Sequence, residues 1–375
     1  MLKRTIQSQL IDDIKPSHVT GLFGARRTGK TILMQQIKDR LANKKILMVN
    51  GEDMDVAELL ASQRSQVLKN LVAGYDYLFI DEAQKVPGIG ENLKLMVDTV
   101  SETGIFVTGS SAFDLKHKIG EPLTGRSRFF NLFPFSYSEL NEDFLTAKRS
   151  IHEKLIYGTY PQVYLEQNLH EKRHLLEGIK NGYLLKDILE LDNLKDSLFI
   201  LNLLRLIAFQ TGNDISYNEL ARNLKTTVKT VQRYLEILEK TFIIFSLHGF
   251  SRNLRKEYSK TPRYYFWDTG IRNAIISNFN ALDIRDDKGK LWENYCIAER
   301  IKKIKYAGRF VNFYFWRTYD QQEIDLIEEE NGQLRAFEFK FGDKEARLPK
   351  AFGKTYPAAD FKTINTLNFK EFLSA

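Results

Sequence analysis

Val19-Thr20-Gly21-Leu22-Phe23-Gly24-Ala25-Arg26-Arg27-Thr28-Gly29-Lys30-Thr31 is the stretch whose reading decides the fold. A short apolar run (Val19, Leu22, Phe23) leads into Gly24-Ala25-Arg26-Arg27-Thr28-Gly29-Lys30-Thr31, and Ile32, Leu33, Met34, Ile37 and Leu41 follow in a helical pattern. Strand, glycine loop and helix succeed one another, with G-x-x-x-x-G-K-[ST] spacing in the turn. The spacing has a physical reason. Gly24 and Gly29 let the backbone curl until its N–H groups point inward at an anion. The helix start behind them adds its positive end. Lys30 can reach the β- and γ-phosphates of a nucleotide, and the Thr31 hydroxyl can hold Mg²⁺. The candidate nucleotide-binding residues are therefore Gly24, Ala25, Arg26, Arg27, Thr28, Gly29, Lys30 and Thr31.

Outward from this loop, residues 1–18 read as a helix or two ending near Pro16. Lys45 to Asn50 is a continuous apolar run, as a buried strand requires, and residues 54–72 read as helix. Tyr77-Leu78-Phe79-Ile80-Asp81-Glu82-Ala83-Gln84 is a strand delivering two acids at its C-terminal end, where α/β sheets keep their sites. Asp81 suits the Mg²⁺ shell together with Thr31, and Glu82 suits the water that attacks the γ-phosphate. Gly104-Ile105-Phe106-Val107-Thr108-Gly109-Ser110-Ser111 is a further buried strand with a hydroxyl pair at its end. Ser110 either senses the γ-phosphate or caps a helix. In Leu123-Thr124-Gly125-Arg126-Ser127-Arg128, Arg126 is the candidate arginine finger, acting in cis or on a neighbouring molecule. No guanine-reading Asn-Lys-x-Asp motif is present, which favours ATP over GTP.

The phosphate loop at 24–31, Asp81-Glu82-Ala83-Gln84, Gly109-Ser110-Ser111 and the Leu-Thr-Gly-Arg segment before Pro134-Phe135-Ser136 together resemble the AAA-superfamily ATPases of prokaryotes. More narrowly, the chain resembles the group carrying a C-terminal domain named DUF4143. Tyr157-Gly158-Thr159-Tyr160-Pro161 is similar to that group's Gly-Gly-Tyr-Pro segment, with Thr159 in place of the second glycine. The resemblance implies an α/β P-loop sheet of the additional-strand type. The strand carrying Ser110 would lie between those carrying Gly24 and Asp81. The resemblance leaves the biological role open.

Residues 138–207 are helix-rich by periodicity and are expected to form a helical lid over the nucleotide site. From 214 to 247 a second pattern follows. Ser216 and Glu219 form a capping box, and a short helix runs from Leu220 to Leu224. Lys225-Thr226-Thr227 makes a turn, and a second helix carries Val228, Val231, Tyr234, Leu235 and Leu238 on one face. An apolar run, Phe242 to Phe245, closes a helix-turn-helix-plus-strand unit of winged-helix type. Lys229, Gln232 and Arg233 would then face outward. Beyond them Arg252, Arg255, Lys256, Lys260 and Arg263 lie among Phe250, Tyr258, Tyr264 and Tyr265. Basic residues interleaved with aromatics suit a phosphate backbone, so DNA is a candidate partner through 225–233 and 249–263.

The C-terminal part alternates strands with a helix that starts near Leu291. In Glu338-Phe339-Lys340, strand alternation puts Glu338 and Lys340 on one face, and Asp325 comes from the preceding strand. Two carboxylates can hold Mg²⁺ beside a lysine. With Glu293 from the helix, the group resembles the PD-(D/E)xK nuclease core, and Glu293, Asp325, Glu338 and Lys340 form a candidate second metal site. The expected domains are a P-loop ATPase (1–140), a helical lid (141–207), a winged-helix-like unit (208–260) and a nuclease-like α/β domain (261–375). The expected function is Mg²⁺-dependent ATP hydrolysis moving a DNA-handling C-terminal half. The alternatives are a slow nucleotide-gated regulatory switch that contacts DNA or protein, and an ATP-controlled nuclease.

Composition agrees with these classes. The chain has 375 residues, 43% hydrophobic, so it can bury more than one core. Its 55 Lys and Arg against 48 Asp and Glu favour polyanionic partners. A single cysteine, Cys296, rules out a disulfide framework and a zinc–thiolate cluster. No apolar stretch has the length of a membrane span or a signal peptide, so a cytoplasmic setting without membrane attachment is expected.

Overall fold

The computed structural model describes residues 2–110, 123–184, 197–251 and 261–374. The chain forms two compact units: Met1–Phe133 with Lys240–Phe242, and Pro134–Glu239 with Ile243–Ala375. Ser111 and the basic residues Arg252, Arg255, Lys256 and Lys260 lie outside the described residues, as does Tyr258.

The first unit is built on a five-stranded sheet. Its strands are β1 (Val19–Phe23), β2 (Ile46–Asn50), β3 (Tyr77–Asp81), β4 (Gly104–Gly109) and β5 (Ser127–Asn131), in the order β2-β3-β4-β1-β5. Every pairing is parallel. The strand leading to Ser110 lies between the strands leading to Gly24 and Asp81, as the additional-strand fold requires. β1 and β4 are buried at every position, because a parallel sheet is covered on both faces. Phe79 and Phe106 meet edge to face at 5.2 Å between neighbouring strands. In place of one helix over 54–72 there are two, Met54–Leu60 and Ser65–Val72. Asn92 Oδ1 accepts the Gln63 N–H at 2.9 Å in the connection, and Gln63 takes the left-handed conformation (φ +52°). The propensity pattern does not register a turn fixed by such a distant partner.

The second unit carries a mixed six-stranded sheet. Its strands are β6 (Ile244–Gly249), β7 (Arg263–Phe266), β8 (Asn312–Arg317), β9 (Glu323–Glu330), β10 (Gln333–Phe339) and β11 (Asp360–Ile364), in the order β11-β10-β9-β8-β6-β7. β6 pairs antiparallel with β7 and parallel with β8. The apolar run expected to close a small helix-turn-helix unit is therefore an interior strand of the C-terminal sheet. The helix Lys288–Tyr306 is buried along most of its length, and Trp292 Nε1 donates to the Ile364 carbonyl at 3.3 Å.

The Gly158-Thr159-Tyr160-Pro161 segment has a packing reason. Gly158 has φ +72°, and a Cβ there would sit 2.0 Å from Asp268 Oδ1. Asp268 accepts the Thr159 N–H at 2.7 Å and caps the helix Thr269–Ile275 through the Ile271 N–H at 3.0 Å. Burial pushes this carboxyl up from its ordinary pKa, against the pull of Lys302 and of these backbone donors. No described helix is long and apolar enough to cross a membrane.

Candidate functional site

Because the strands of the first sheet run parallel, Phe23, Asp81 and Gly109 finish at one edge. The phosphate loop begins there. The Gly24 N–H donates to Gly109 O at 3.3 Å, and a Cβ on Gly24 would lie 2.1 Å from the Leu132 carbonyl oxygen, so only glycine fits. Arg27 (φ +62°) and Gly29 (φ +95°) turn the backbone left-handed. Alternation of this kind rotates successive N–H groups into one concavity. The helix Lys30–Arg40 then starts at Gly29 without any side-chain cap, leaving its first N–H groups for an anion. Lys30 is buried, and its Nζ donates to the loop's own Gly24 and Ala25 carbonyls at 2.9 and 3.1 Å. Thr28 Oγ1 braces the curl by donating to Ala25 O at 2.8 Å.

The acids stand where the sequence puts them. Thr31 Oγ1 donates to Asp81 Oδ2 at 2.6 Å. Asp81 Oδ1 accepts from the Thr108 hydroxyl and from the Glu82 N–H at 3.2 Å. Glu82 takes the left-handed conformation (φ +49°), and its carboxylate accepts from Gln84 Nε2. The same nitrogen donates to Ser110 Oγ at 3.1 Å, so Gln84 ties Glu82 to Ser110. A neighbouring hydroxyl and carboxylate fit Mg²⁺ brought by a nucleotide, because that ion takes few protein ligands and fills its shell with water and phosphate oxygens. Among the described residues no group of three or more His, Cys, Asp or Glu is arranged to hold a metal alone.

Three residues of this site carry no role in the sequence reading: Arg4, Thr108 and Gln84. Thr108 had a signal, since it lies two positions before Ser110 and strand alternation puts both on one face. Arg4 had none. It is 129 residues from one of its two acceptors.

Arg126 is not at this edge. Its carbonyl accepts the Val19 N–H at 3.0 Å, and Ser127 pairs with Val19. That is the N-terminal end of β1, opposite the loop, and the guanidinium pairs with Asp98. A finger acting within the same chain is thereby ruled out, because a whole strand separates the two ends.

The second acid group also differs from expectation. Asp325 accepts the Phe339 N–H at 2.9 Å. Glu293 is taken up by the Tyr265 hydroxyl at 2.9 Å and Lys290 Nζ at 3.0 Å, and Glu338 by Lys340 Nζ at 2.8 Å. Burial, then the charges of Glu293 and Glu338, push Asp325 well above the usual carboxylate range. Glu338 is raised too, chiefly by burial, although Lys340 opposes it. The four residues thus share one electrostatic neighbourhood. The carboxylates are nevertheless not arranged as a metal-binding group, since each is drawn to its own internal partner.

In the helix-turn-helix segment, Ser216 Oγ accepts the Glu219 N–H at 3.3 Å at the start of Tyr217–Asn223. The helix Val228–Lys240 buries Val231, Tyr234, Leu235, Ile237 and Leu238 and exposes Lys229, Gln232 and Arg233. Arg263 and its neighbours are a correction. Arg263 is buried, paired with Asp214 at 2.8 Å and Glu323 at 2.9 Å, with its guanidinium 4.3 Å from the centre of the Phe315 ring. Phe250, Tyr264 and Tyr265 are core residues. None of these four is a contact surface for nucleic acid.

Fold and site together define a P-loop ATPase of the AAA superfamily. Family profiles match residues 16–141 (AAA domain), 148–282 (domain of unknown function DUF8612) and 288–368 (domain of unknown function DUF4143). The chain thus carries an AAA domain followed by a C-terminal DUF4143 domain.

Its relatives include an uncharacterized protein of Methanocaldococcus jannaschii, 25% identical over 97% of this chain and 84% of the relative. One of Haemophilus influenzae is 26% identical over 85% of this chain and 81% of its own length. Similar solved structures include AMPPCP-bound DnaA from Aquifex aeolicus, with 15% identity, 62% of this chain and 86% of that one covered, and a TM-score of 0.29. Another is Cdc6p from Pyrobaculum aerophilum, with 11% identity, 73% and 91% covered, and a TM-score of 0.28.

Proposed function

We propose that this protein binds Mg²⁺·ATP on the loop Gly24–Thr31, hydrolyses it, and couples the cycle to a second unit that grips duplex DNA along the helix Val228–Lys240. One observation carries the ATPase reading: an uncapped helix start and curled loop lie beside an acid already hydrogen-bonded to the loop's own hydroxyl, Thr31 to Asp81 at 2.6 Å. Lys30 exchanges the Gly24 and Ala25 carbonyls for the β- and γ-phosphates. Thr31 and Asp81 would hold the metal, which would supply charge neutralisation to the phosphates. Glu82 accepts a proton from the attacking water while a water oxygen bonds to the γ-phosphorus and the bond to the β-phosphate oxygen breaks, releasing ADP. Gln84 and Ser110 orient Glu82 and that water.

The DNA reading rests on exposed basic residues of the helix-turn-helix segment: Arg222 on the helix Tyr217–Asn223, Lys225 in the turn, and Lys229 and Arg233 about one turn apart on the helix Val228–Lys240. Exposed basic side chains on a helix-turn-helix suit the phosphate backbone.

The ATPase reading is tested by γ-phosphate release from wild type, Lys30→Ala and Glu82→Gln. Both variants are expected to fall by about a hundredfold or more, with Glu82→Gln still binding ATP. Equal rates in all three refute the assignment.

A further inference from the structure

Arg4 lies just before the helix Gln7–Asp13 and is buried. Its Nη1 donates to the Thr28 carbonyl at 2.9 Å and its Nη2 to the Phe133 carbonyl at 2.6 Å. A buried guanidinium is a planar, rigid fork, and two of its N–H groups here hold backbone carbonyls of segments far apart in the chain, so what they hold in place matters.

One of these groups is the Thr28 carbonyl. A trans peptide is planar, and its C=O and N–H point in opposite directions. The Thr28 carbonyl and the Gly29 N–H belong to the same plane. Whatever holds the carbonyl outward aims that N–H the other way, into the concavity of the loop. Gly29 sits at φ +95° with no atom within 4 Å of where a Cβ would be, so no side chain at this position helps to hold the plane. Glycine gives this turn its shape but does not hold it.

The far end of the clamp is fixed. Leu132 N–H donates to Phe23 O at 2.6 Å, and the Leu132 carbonyl lies against Gly24. The Phe133 ring packs edge to face on Phe242 at 6.0 Å. The guanidinium fork therefore spans from a rigid segment beside the loop's first glycine to the peptide preceding its second.

We infer that Arg4 is a positioning residue of the nucleotide site: it fixes the Thr28–Gly29 peptide so that the Gly29 N–H faces the phosphates of a bound nucleotide. Arg4 touches no substrate. It acts through the loop, and the inference rests on the ATPase reading above. Because the N–H it orients binds phosphate in ADP and ATP alike, its loss weakens both, raising KM more than it lowers kcat.

The test titrates a fluorescent ADP analogue with Mg²⁺ into wild type and Arg4→Ala, with circular dichroism and Tm recorded on the nucleotide-free proteins. Arg4→Ala is expected to raise Kd about tenfold in protein that is still folded, to leave kcat within about threefold, and to shrink the Tm gain on adding ADP. Should Arg4→Ala not fold, Arg4→Lys is titrated under the same criterion, since it keeps the charge and stem but not the fork. A Kd within twofold of wild type in the folded variant, whatever its Tm, overturns the inference and marks Arg4 as a packing residue. Wild type that binds no nucleotide would instead overturn the ATPase reading.

Discussion

Two groups of acids stand in the two units of this molecule, and their surroundings are opposites. At the end of β3, Asp81 is surrounded by hydroxyls and amides: Thr31, Thr108 and the Glu82 N–H. These donors are neutral, and a cation can displace them without leaving a buried charge behind. In the second unit, Asp325 on β9 meets Glu293 and Glu338, and each of those is already taken by a lysine. The first arrangement is open to a cation and an anion together. The second already commits Glu293 and Glu338 to lysines and leaves Asp325 on a backbone N–H. Acidic residues at strand positions therefore say little until their donors are known.

The sharpest break in this comparison is activity. Asp81→Asn keeps a hydrogen-bonding side chain but removes the charge that faces the metal. ATP turnover is expected to fall about a hundredfold to a thousandfold, and the Mg²⁺ concentration needed for half-maximal ADP binding to rise. Asp325→Asn is expected to leave both within about twofold. Comparable losses in the two variants, measured by steady-state phosphate release across a Mg²⁺ titration, would erase the distinction.

A middle-sized effect separates the basic residues of the second unit. Arg263 is bound up in its pairs with Asp214 and Glu323, while Lys229 and Arg233 are exposed on the helix Val228–Lys240. Lys229→Glu with Arg233→Glu should weaken binding of a generic duplex about tenfold or more at moderate salt, and lower the slope of log affinity against log salt by about 2. An unchanged slope in fluorescence anisotropy would remove this helix as the contact surface.

What could be read from the sequence follows the same division. The strands and the loop-to-acid pairing were legible because local patterns encode them: an apolar run, two glycines at fixed spacing and acids at a strand end; the strand order was what the resemblance to the AAA ATPases implied. Arg126 was misplaced because the sequence reading assigned no strand at Ser127–Asn131; with β5 there and parallel to β1, a residue just before it lies at the end remote from the loop. Arg263 was misread because a basic residue among aromatics looks alike whether the aromatics are exposed or, as with Phe315 and Tyr265, buried. Gln84 lay in plain view within the Asp-Glu-Ala-Gln run, yet its contact with Ser110 depends on β4 lying next to β3.

The smallest effect concerns stability, and its sign follows from Asp325. Burial and the neighbouring carboxylates raise its pKa in the folded chain above the ordinary value of 3.8. The folded state then binds this proton more tightly than the unfolded state. The contribution to stability is complete below about pH 3.8 and is lost as pH rises through the folded value. Well above pH 3.8 the folded chain must either keep a proton that the unfolded chain has released or bury a charge beside Glu293 and Glu338, and Asp325→Asn removes that cost while its side-chain oxygen can still accept the Phe339 N–H. The variant is expected to be more stable by about 2 kcal/mol at pH 8, which is a rise in Tm of a few degrees for a unit of this size. The gain should shrink steadily toward pH 5. Thermal melts of both proteins across that range read the difference directly. A variant that melts lower than wild type at pH 8 would mean that Lys290 and Lys340 neutralise the acids, and that Asp325 contributes stability in its charged form.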